Sequence, residues 1–402
     1  MRVVVCGGGI GGLALAQGLV RRGLEVVVLE RDEDLAQTGG YKLHLAPAPL
    51  RALADLLPAD QMGELLDRAV RTTGFTLAVR DHRARLLVRA REDEQGQSVD
   101  VDRITLRRAL AAGLGDRLRL GQQCARYTES GNGAHVELAS GERVVGDVVV
   151  IAEGAGSRLA RQLAGARTCS STGLVGVAGR TLVSDLPQRA QQIVREDPLL
   201  AFGPGGVGLF ASWHAPGAGS GALTPPMVIW GMLTVASRPP AGASEDLARA
   251  AAGLLARARW APGLVDLPRH AAPGTVASFP LLAADPGRIA PWVPRRVTAM
   301  GDAAHAMPPT GGQGAATAIL DAHQHTTVLA ETAEGQRELG PALQAAAHEM
   351  RTRSATAVRE SLAPLRWIKA SAHPAGTAAT TLAMPAAAGI AALTRSLRGA
   401  VR

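Results

Sequence analysis

Val3-Val4-Val5-Cys6-Gly7-Gly8-Gly9-Ile10-Gly11-Gly12-Leu13-Ala14-Leu15-Ala16-Gln17-Gly18-Leu19-Val20-Arg21-Arg22-Gly23-Leu24-Glu25-Val26-Val27-Val28-Leu29-Glu30 stands almost at the start of the chain, and its reading decides the fold. A β-branched run at 3–5 meets a glycine turn at 7–12. The spacing predicts a helix over 13–22, ended by Gly23, and a second strand over 26–29 closing on Glu30. Two strands joined by a helix in about 30 residues form a parallel crossover. Gly7, Gly9 and Gly12 satisfy G-x-G-x-x-G between strand and helix. The first glycine permits the tight turn, the second lets backbone approach a pyrophosphate, and the third lets helix and strand pack closely. The helix start then offers unpaired N–H groups to phosphate. Glu30 lies where a carboxylate accepts hydrogen bonds from ribose hydroxyls, and its charge would repel a 2′-phosphate.

Outward from this unit, 50–57 reads as a short helix stopped by Pro58, and 76–80 with 83–89 as a hairpin about Asp81-His82. Leu106, Leu110 and Leu114 space a helix over 104–114. Runs at 136–138 and 144–151 flank Ser140-Gly141-Glu142 as another hairpin. Short strands follow at 174–177, 199–202, 207–210 and 227–233, then a buried strand at 297–300, and beyond Gly314 an Ala-rich helical stretch. The expected class is α/β (α+β): a Rossmann-like cofactor-binding domain from 1–72, 98–172 and 276–335, a β-rich substrate domain from 73–97 and 173–275, and a C-terminal helical segment over 336–402.

Composition narrows the function. With 402 residues, 47% hydrophobic and 19% charged, the chain has enough apolar material for two packed domains and no disordered bias. The net charge of +8 is scattered arginine, since lysine occurs only at Lys42 and Lys369; no basic run or aromatic interleaving marks a nucleic-acid binder. Attraction of an anionic dinucleotide uses that excess better. Cys6, Cys124 and Cys169 make neither a disulfide framework nor a metal spacing, so reduced thiols in a cytoplasmic protein are expected. The N-terminus lacks an apolar stretch of signal-peptide length, and Pro385, Gly389, Arg395 and Arg398 break the Ala-rich tail, so no membrane span is expected.

A second glycine-lined turn lies far downstream: Gly301-Asp302-Ala303-Ala304-His305-Ala306-Met307-Pro308-Pro309-Thr310-Gly311-Gly312-Gln313-Gly314, after a strand and before a helix. Asp302 could accept from a polyol, and 311–314 would expose N–H groups to an electron-rich ring edge. His305 in this loop reads as a hydrogen-bonded structural residue, with His323 and His325 peripheral. Gly203-Pro204-Gly205-Gly206-Val207-Gly208 also fits the glycine pattern, but no helix follows it, so a hairpin turn is the reading. No His/Cys/Asp/Glu set has metal spacing, and Ser157 lacks a nucleophile-elbow context.

Together, the first glycine loop with Glu30-Arg31, Gly301-Asp302 and Pro308-Pro309 through Gly314 resemble the class A flavoprotein monooxygenases. These are the para-hydroxybenzoate hydroxylase-like enzymes, with tetracycline-inactivating and polyketide-tailoring monooxygenases as near relatives. The resemblance covers roughly 1–60, 100–165 and 275–330. It implies FAD held by Gly7, Gly9, Gly12, Leu13, Glu30, Arg31, Arg103, Arg107, Gly154, Asp302, Pro309, Gly312, Gln313 and Gly314. Arg103 and Arg107 lie in a segment resembling the family helix whose arginines contact FAD. Two positions depart from the family pattern: Glu153 stands where Asp is usual, and Ala316 where Asn is frequent.

The resemblance further implies that NADPH or NADH acts as a transient reductant, and that a flavin C4a-hydroperoxide passes oxygen from O2 to an aromatic or polycyclic substrate. No residue is expected to act as catalyst apart from the flavin, and no metal is expected. Trp213, His214 and Trp230 could contact a planar substrate, with ordinary sheet packing as the alternative; the glycine loops around Gly203 and Gly217 suggest room for a bulky one. The partner expected is a small molecule, and the protein a monomer or homodimer. Other readings on the same fold are an FAD oxidase, dehydrogenase or epoxidase, or a non-catalytic ligand-binding flavoprotein. A halogenase is disfavoured, as no Trp-x-Trp-x-Ile-Pro segment occurs.

Overall fold

A computed structural model describes residues 1–36, 42–215, 225–373 and 375–378, without the side chains of 73–75 and 91–95. The glycine loop at Gly217 and nearly all of the Ala-rich tail lie outside the described residues. The chain forms two compact units: Met1–Arg71, Ser98–Ser170 and Leu282–Leu362; and Thr72–Gln97, Ser171–Leu281 and Ala363–Arg402.

The first unit is built on five parallel strands: β1 (Arg2–Cys6), β2 (Glu25–Leu29), β3 (Leu118–Arg119), β4 (Val148–Ile151) and β5 (Val297–Ala299). Their order is β5-β4-β1-β2-β3. β1 pairs with β4 and β2 on either side, and Val3, Val4, Val5 and Cys6 are fully buried. Covered on both faces, such strands read as continuous apolar runs, and each buried valine is worth about 1.5–3 kcal/mol.

Five helices of this chain matter for the site: α1 (Ile10–Arg21), α2 (Arg103–Ala111), α3 (Asp302–His305), α4 (Gly314–Ala333) and α5 (Leu339–Ala370). Helix α1 begins at Ile10, three residues before the helix expected from the sequence, so Gly11 and Gly12 are helical. The reason is packing. A Cβ on Gly12 would stand 2.0 Å from the Gly7 oxygen, one on Gly11 3.2 Å from Ala318 Cβ of α4, and one on Gly18 within 2.4 Å of Leu56 and Thr326. Glycine here lets α1 lie close against β1 and α4, despite its low helix propensity.

The run 144–151, expected as one strand, is two. Arg143–Gly146 pairs antiparallel with Gly133–Leu138, whereas β4 joins the parallel sheet. The break falls where Asp147 N–H donates to the Arg2 oxygen (2.8 Å) and its carboxylate accepts from Arg2 N–H (2.6 Å). A Cβ on Gly146 would lie 2.9 Å from a Val4 methyl.

In the second unit, Ser170–Leu182, Met227–Val235, Val207–His214 and Leu199–Gly203 form successive antiparallel pairs, and Leu199–Gly203 runs parallel to Val70–Asp81. The 203–208 glycine pattern is a hairpin connection, with Gly205 and Gly206 at φ +80° and +70°. One sheet face (Leu199, Leu209, Ala211, Val228, Trp230, Met232) shares a core with Leu247, Ala251 and Leu255 and with Leu264 and Leu267. Those come from helices Ser244–Arg257 and Pro262–Arg269, in a stretch to which the sequence reading assigned no element. Among the described residues, no helix is long and apolar enough to cross a membrane.

Candidate functional site

All parts of the glycine-lined site lie in the first unit, at the carboxyl ends of neighbouring parallel strands. β1 leads into Gly7–Gly9, β2 into Glu30, β4 into Ala152-Glu153-Gly154, and β5 into Gly301-Asp302. Three inter-strand steps of about 4.8 Å put roughly 14 Å between the ends of β5 and β2. In open α/β sheets, ligands bind in the crevice outside these ends.

The three motif glycines differ in what requires them. Gly7 has φ +116°, and a Cβ would lie 2.3 Å from the Ala152 oxygen, so backbone strain and the β4 turn both demand glycine. Gly12 abuts the Gly7 oxygen. Gly9 has φ −78° and ψ −176°, extended backbone that any residue adopts, and a Cβ there would meet nothing within 4 Å. Nothing among the described residues requires its missing side chain. A group lying on the turn would, and this matches a phosphate approached by backbone.

At the β2 end, Glu30 is buried and accepts from Gly8 N–H (2.5 Å) and Asp32 N–H (2.9 Å). Arg107 of α2, only 4% exposed, ties the corner together. Its Nε donates to the Gly8 oxygen (2.8 Å), one terminal nitrogen reaches Asp32 (3.0 Å) and the Leu35 oxygen (3.1 Å), and the other lies 3.3 Å from Glu30. The donors of Arg107 thus serve the chain's own turn. Asp32, not anticipated, joins Glu30 beside Arg107, and the exposed Arg31 guanidinium lies 3.8 Å from the Asp32 carboxylate. The Leu13 side chain is core, and its N–H donates to the Gly9 oxygen (3.0 Å).

Arg103, one turn from Arg107 on α2, behaves differently: its Nε is buried without a hydrogen-bond partner, and its charge acts on Asp302. A buried guanidinium nitrogen left without an acceptor is costly and suits an anionic or oxygen-rich ligand. Asp302 is exposed by accessible surface, yet burial pushes its carboxyl above the usual range while His305 and Arg103 pull it down. Gly314, at the start of α4, faces it: a Cβ there would lie 3.8 Å from Asp302 Oδ1.

The Pro309–Gly314 turn is braced by α5. A Cβ on Gly311 would stand 2.3 Å from Ser361 Oγ, Thr310 Oγ1 donates to the Ser361 oxygen (2.5 Å), and the Gln313 side chain donates to Glu360 (2.7 Å). Gly312, at φ +65°, has open space where a Cβ would point, and Pro309 opens the turn. The Gln313 side chain is therefore engaged by protein, leaving backbone to face a ligand.

Glu153, the departure after β4, is pushed up by burial, against a bond from Ser157 Oγ (2.5 Å) and the charge of exposed Arg31. Gly154 follows at φ +82° with open space beside it. Cys169, also unanticipated, interacts with the Gly156 backbone and with the charge of Asp302.

His305 is structural: it is fully buried, and its Nε2 lies 2.5 Å from Asp321 of α4. His323 lies at the surface beside Asp55 (3.2 Å), and His325 is buried with Nδ1 on the Asp321 oxygen (2.8 Å).

The substrate expectations are corrected in part. Trp230 is 1% exposed inside the second unit's core, and its Nε1 donates to Thr181 (3.0 Å). Trp213 packs against the same core, on the face of Leu209 and Ala211. Strand alternation puts His214 with Phe210 on the opposite face, where mid-strand Gly231 has only Ala178 Cβ (3.8 Å) near its would-be Cβ.

Residues 283–361 match the model of an FAD binding domain, and 5–69 that of an NAD(P)-binding Rossmann-like domain. The chain is 28% identical over 389 residues to the dual O-methyltransferase/FAD-dependent monooxygenase elcB of Phaeosphaeria nodorum, covering 84% of this chain and 41% of that protein. It is 29% identical over 372 residues to the FAD-dependent monooxygenase ntnJ of Nectria sp, covering 86% and 79%. The chain spans about half or less of the length of several curated relatives it matches. A crystal structure assigned as an FAD containing monooxygenase from Photorhabdus luminescens subsp. laumondii TTO1 superposes with TM-score 0.76 at 26% identity, over 92% of this chain and 98% of the other.

Proposed function

We propose that this chain is an FAD-dependent monooxygenase that uses FAD and NAD(P)H to transfer one oxygen atom of O2 to an aromatic or polycyclic small molecule. The observation that carries the reading is the row of four parallel strand ends presenting Asp302, Gly154, the glycine turn and Glu30 in that order, with space at Gly9 that nothing among the described residues fills.

Bound FAD would supply hydride uptake from NAD(P)H and activation of O2. The chain's own work is to hold and to orient. The N–H groups of the first turn of α1 would donate to the pyrophosphate. Glu30 would accept from the adenosine ribose and Asp302 from the ribityl hydroxyls, with Arg103 offering its unmatched nitrogen to the same chain of oxygens. Amides at the start of α4 would line the electron-rich edge of the ring. Backbone at that position supports the reading despite Ala316, because an amide donor needs no Asn side chain.

The purified protein should be yellow, bind FAD one to one, and oxidise NADPH or NADH faster with an electron-rich aromatic acceptor. Turnover under ¹⁸O2 should put one labelled oxygen into the product. Failure to take up FAD would overturn the reading of the site. Flavin reduction without label in any product would instead favour an oxidase or dehydrogenase.

A further inference from the structure

Asp321 is a fully buried carboxylate of the first unit that lies outside the row of strand ends. It sits in the second turn of α4 with no solvent exposure and gathers donors from three segments. Its Oδ2 accepts from the Gly301 N–H (3.0 Å) and from His305 Nε2 (2.5 Å), and its Oδ1 accepts from Arg353 of α5 (2.6 Å).

The Gly301 contact gives the group its meaning. Met300 N–H makes the last bond to β4, on the Ile151 oxygen (3.0 Å), and Gly301 is the first residue off the sheet. It turns at φ +60° and ψ −149°, and its carbonyl accepts from Ala304 N–H and His305 N–H, both at 2.9 Å. Asp321 therefore holds Gly301 twice: directly at its N–H, and through His305 at the far end of α3. Asp302 lies between those anchors. A four-residue helix has almost no cooperative stability of its own, so its place depends on such ties.

Electrostatics act in the same direction. Burial opposes the ionised form of Asp321, but His305 and Arg353 outweigh it and bring the carboxyl down to about 2. For His305, burial favours the neutral ring, yet the charge and hydrogen bond of Asp321, with a smaller contribution from Asp302, raise it. The charged groups that bear on this loop are thus Asp302 and His305 of α3, Asp321 of α4, Arg353 of α5 and Arg103 of α2. Arg353, 30% exposed, is the end of the network that reaches water.

We propose that Asp321 is a positioning residue for Asp302: by fixing Gly301 and His305 it sets the geometry of the Asp302 turn, and with it the affinity for the cofactor, without touching the cofactor itself. The inference rests on the reading of Asp302 as a cofactor contact. Its geometric half, the pinning of the turn, stands independently of any ligand.

The test uses the full chain with Asp321→Asn and Arg353→Met. FAD dissociation constants come from flavin fluorescence on apoprotein, and amide exchange of the 300–305 peptide is followed without ligand. Asn keeps the side chain's shape but removes the charge, and its N–H2 turns a donor toward His305 or Arg353. We expect FAD binding weakened at least tenfold in Asp321→Asn and severalfold in Arg353→Met, with faster exchange at 300–305 in both. Wild-type affinity should fall as pH rises through the raised His305 pKa, and that limb should move to lower pH in Asp321→Asn. FAD affinity within twofold of wild type in both variants, alongside lower melting temperatures, would reduce Asp321 to a purely structural role and overturn the proposal. If Asp321→Asn does not fold, the partly exposed Arg353 variant decides alone. If wild type binds no FAD, the reading of the site fails, and unchanged exchange at 300–305 would then overturn the positioning role separately.

Discussion

The Nε–H of Arg107 donates to the carbonyl oxygen of Gly8 at 2.8 Å, from a side chain whose other nitrogens reach Glu30 and Asp32. One arginine thus fastens the first glycine turn to the end of the second strand. The shape of the glycine turn is thereby tied to a helix starting some 95 residues later in sequence.

Removing it should be costly. Arg107→Gln leaves two carboxylates without their cation in a corner where Glu30 and the guanidinium are both buried, and breaking such a pair costs about 3–5 kcal/mol. Thermal unfolding of the apoprotein should show a loss of that order. Unchanged stability with weakened FAD binding would support the phosphate-contact role instead.

Gly9→Ala separates binding from folding. Its backbone is unstrained and its Cβ has space, so the apoprotein should melt within about a degree of wild type while FAD content collapses. Gly7→Ala should cost about 2–4 kcal/mol, from φ +116° and the clash with the Ala152 oxygen. Equal melting losses in the two variants would contradict the distinction.

Stability against pH should carry the mark of the buried His305–Asp321 pair. Asp321 ionises at about 2 when folded against an ordinary 3.8, so its contribution is present above about pH 4 and lost as pH falls toward 2. That lowering is worth about 2 kcal/mol at 1.36 kcal/mol per unit. His305 is raised from its ordinary 6.5, so its contribution is complete below that pH and lost as pH climbs through the raised value. Melting curves from pH 2 to 10 on wild type and His305→Gln should differ in the alkaline limb; superimposable limbs would rule out a charged His305 in the fold.

Trp230→Phe tests whether that ring belongs to the core. The change deletes the Nε1–Thr181 bond and leaves a partial cavity, costing about 1–3 kcal/mol, with FAD content unaffected. A change in acceptor preference at unchanged stability would return Trp230 to the substrate surface.

The first 30 residues disclose their own fold because everything decisive there is local. Buried parallel strands demand unbroken β-branched runs, a tight turn demands glycine, and a crossover must span about 30 residues. The downstream turn was legible for the same reason, its glycines and prolines fixing backbone shape in place. What sequence could not reveal is which groups meet across the sheet. Arg107 reads as one more helix arginine until α2 sets it beside Gly8 and Glu30. Asp321 carries no signal at all, its partners lying 16, 20 and 32 residues away. Trp213 and Trp230 look available on their strands until helices Ser244–Arg257 and Pro262–Arg269 claim that face. Local backbone preference is written residue by residue, whereas side-chain partnership and the buried face of a sheet are settled only when distant segments compete for the same space, and that competition is tertiary.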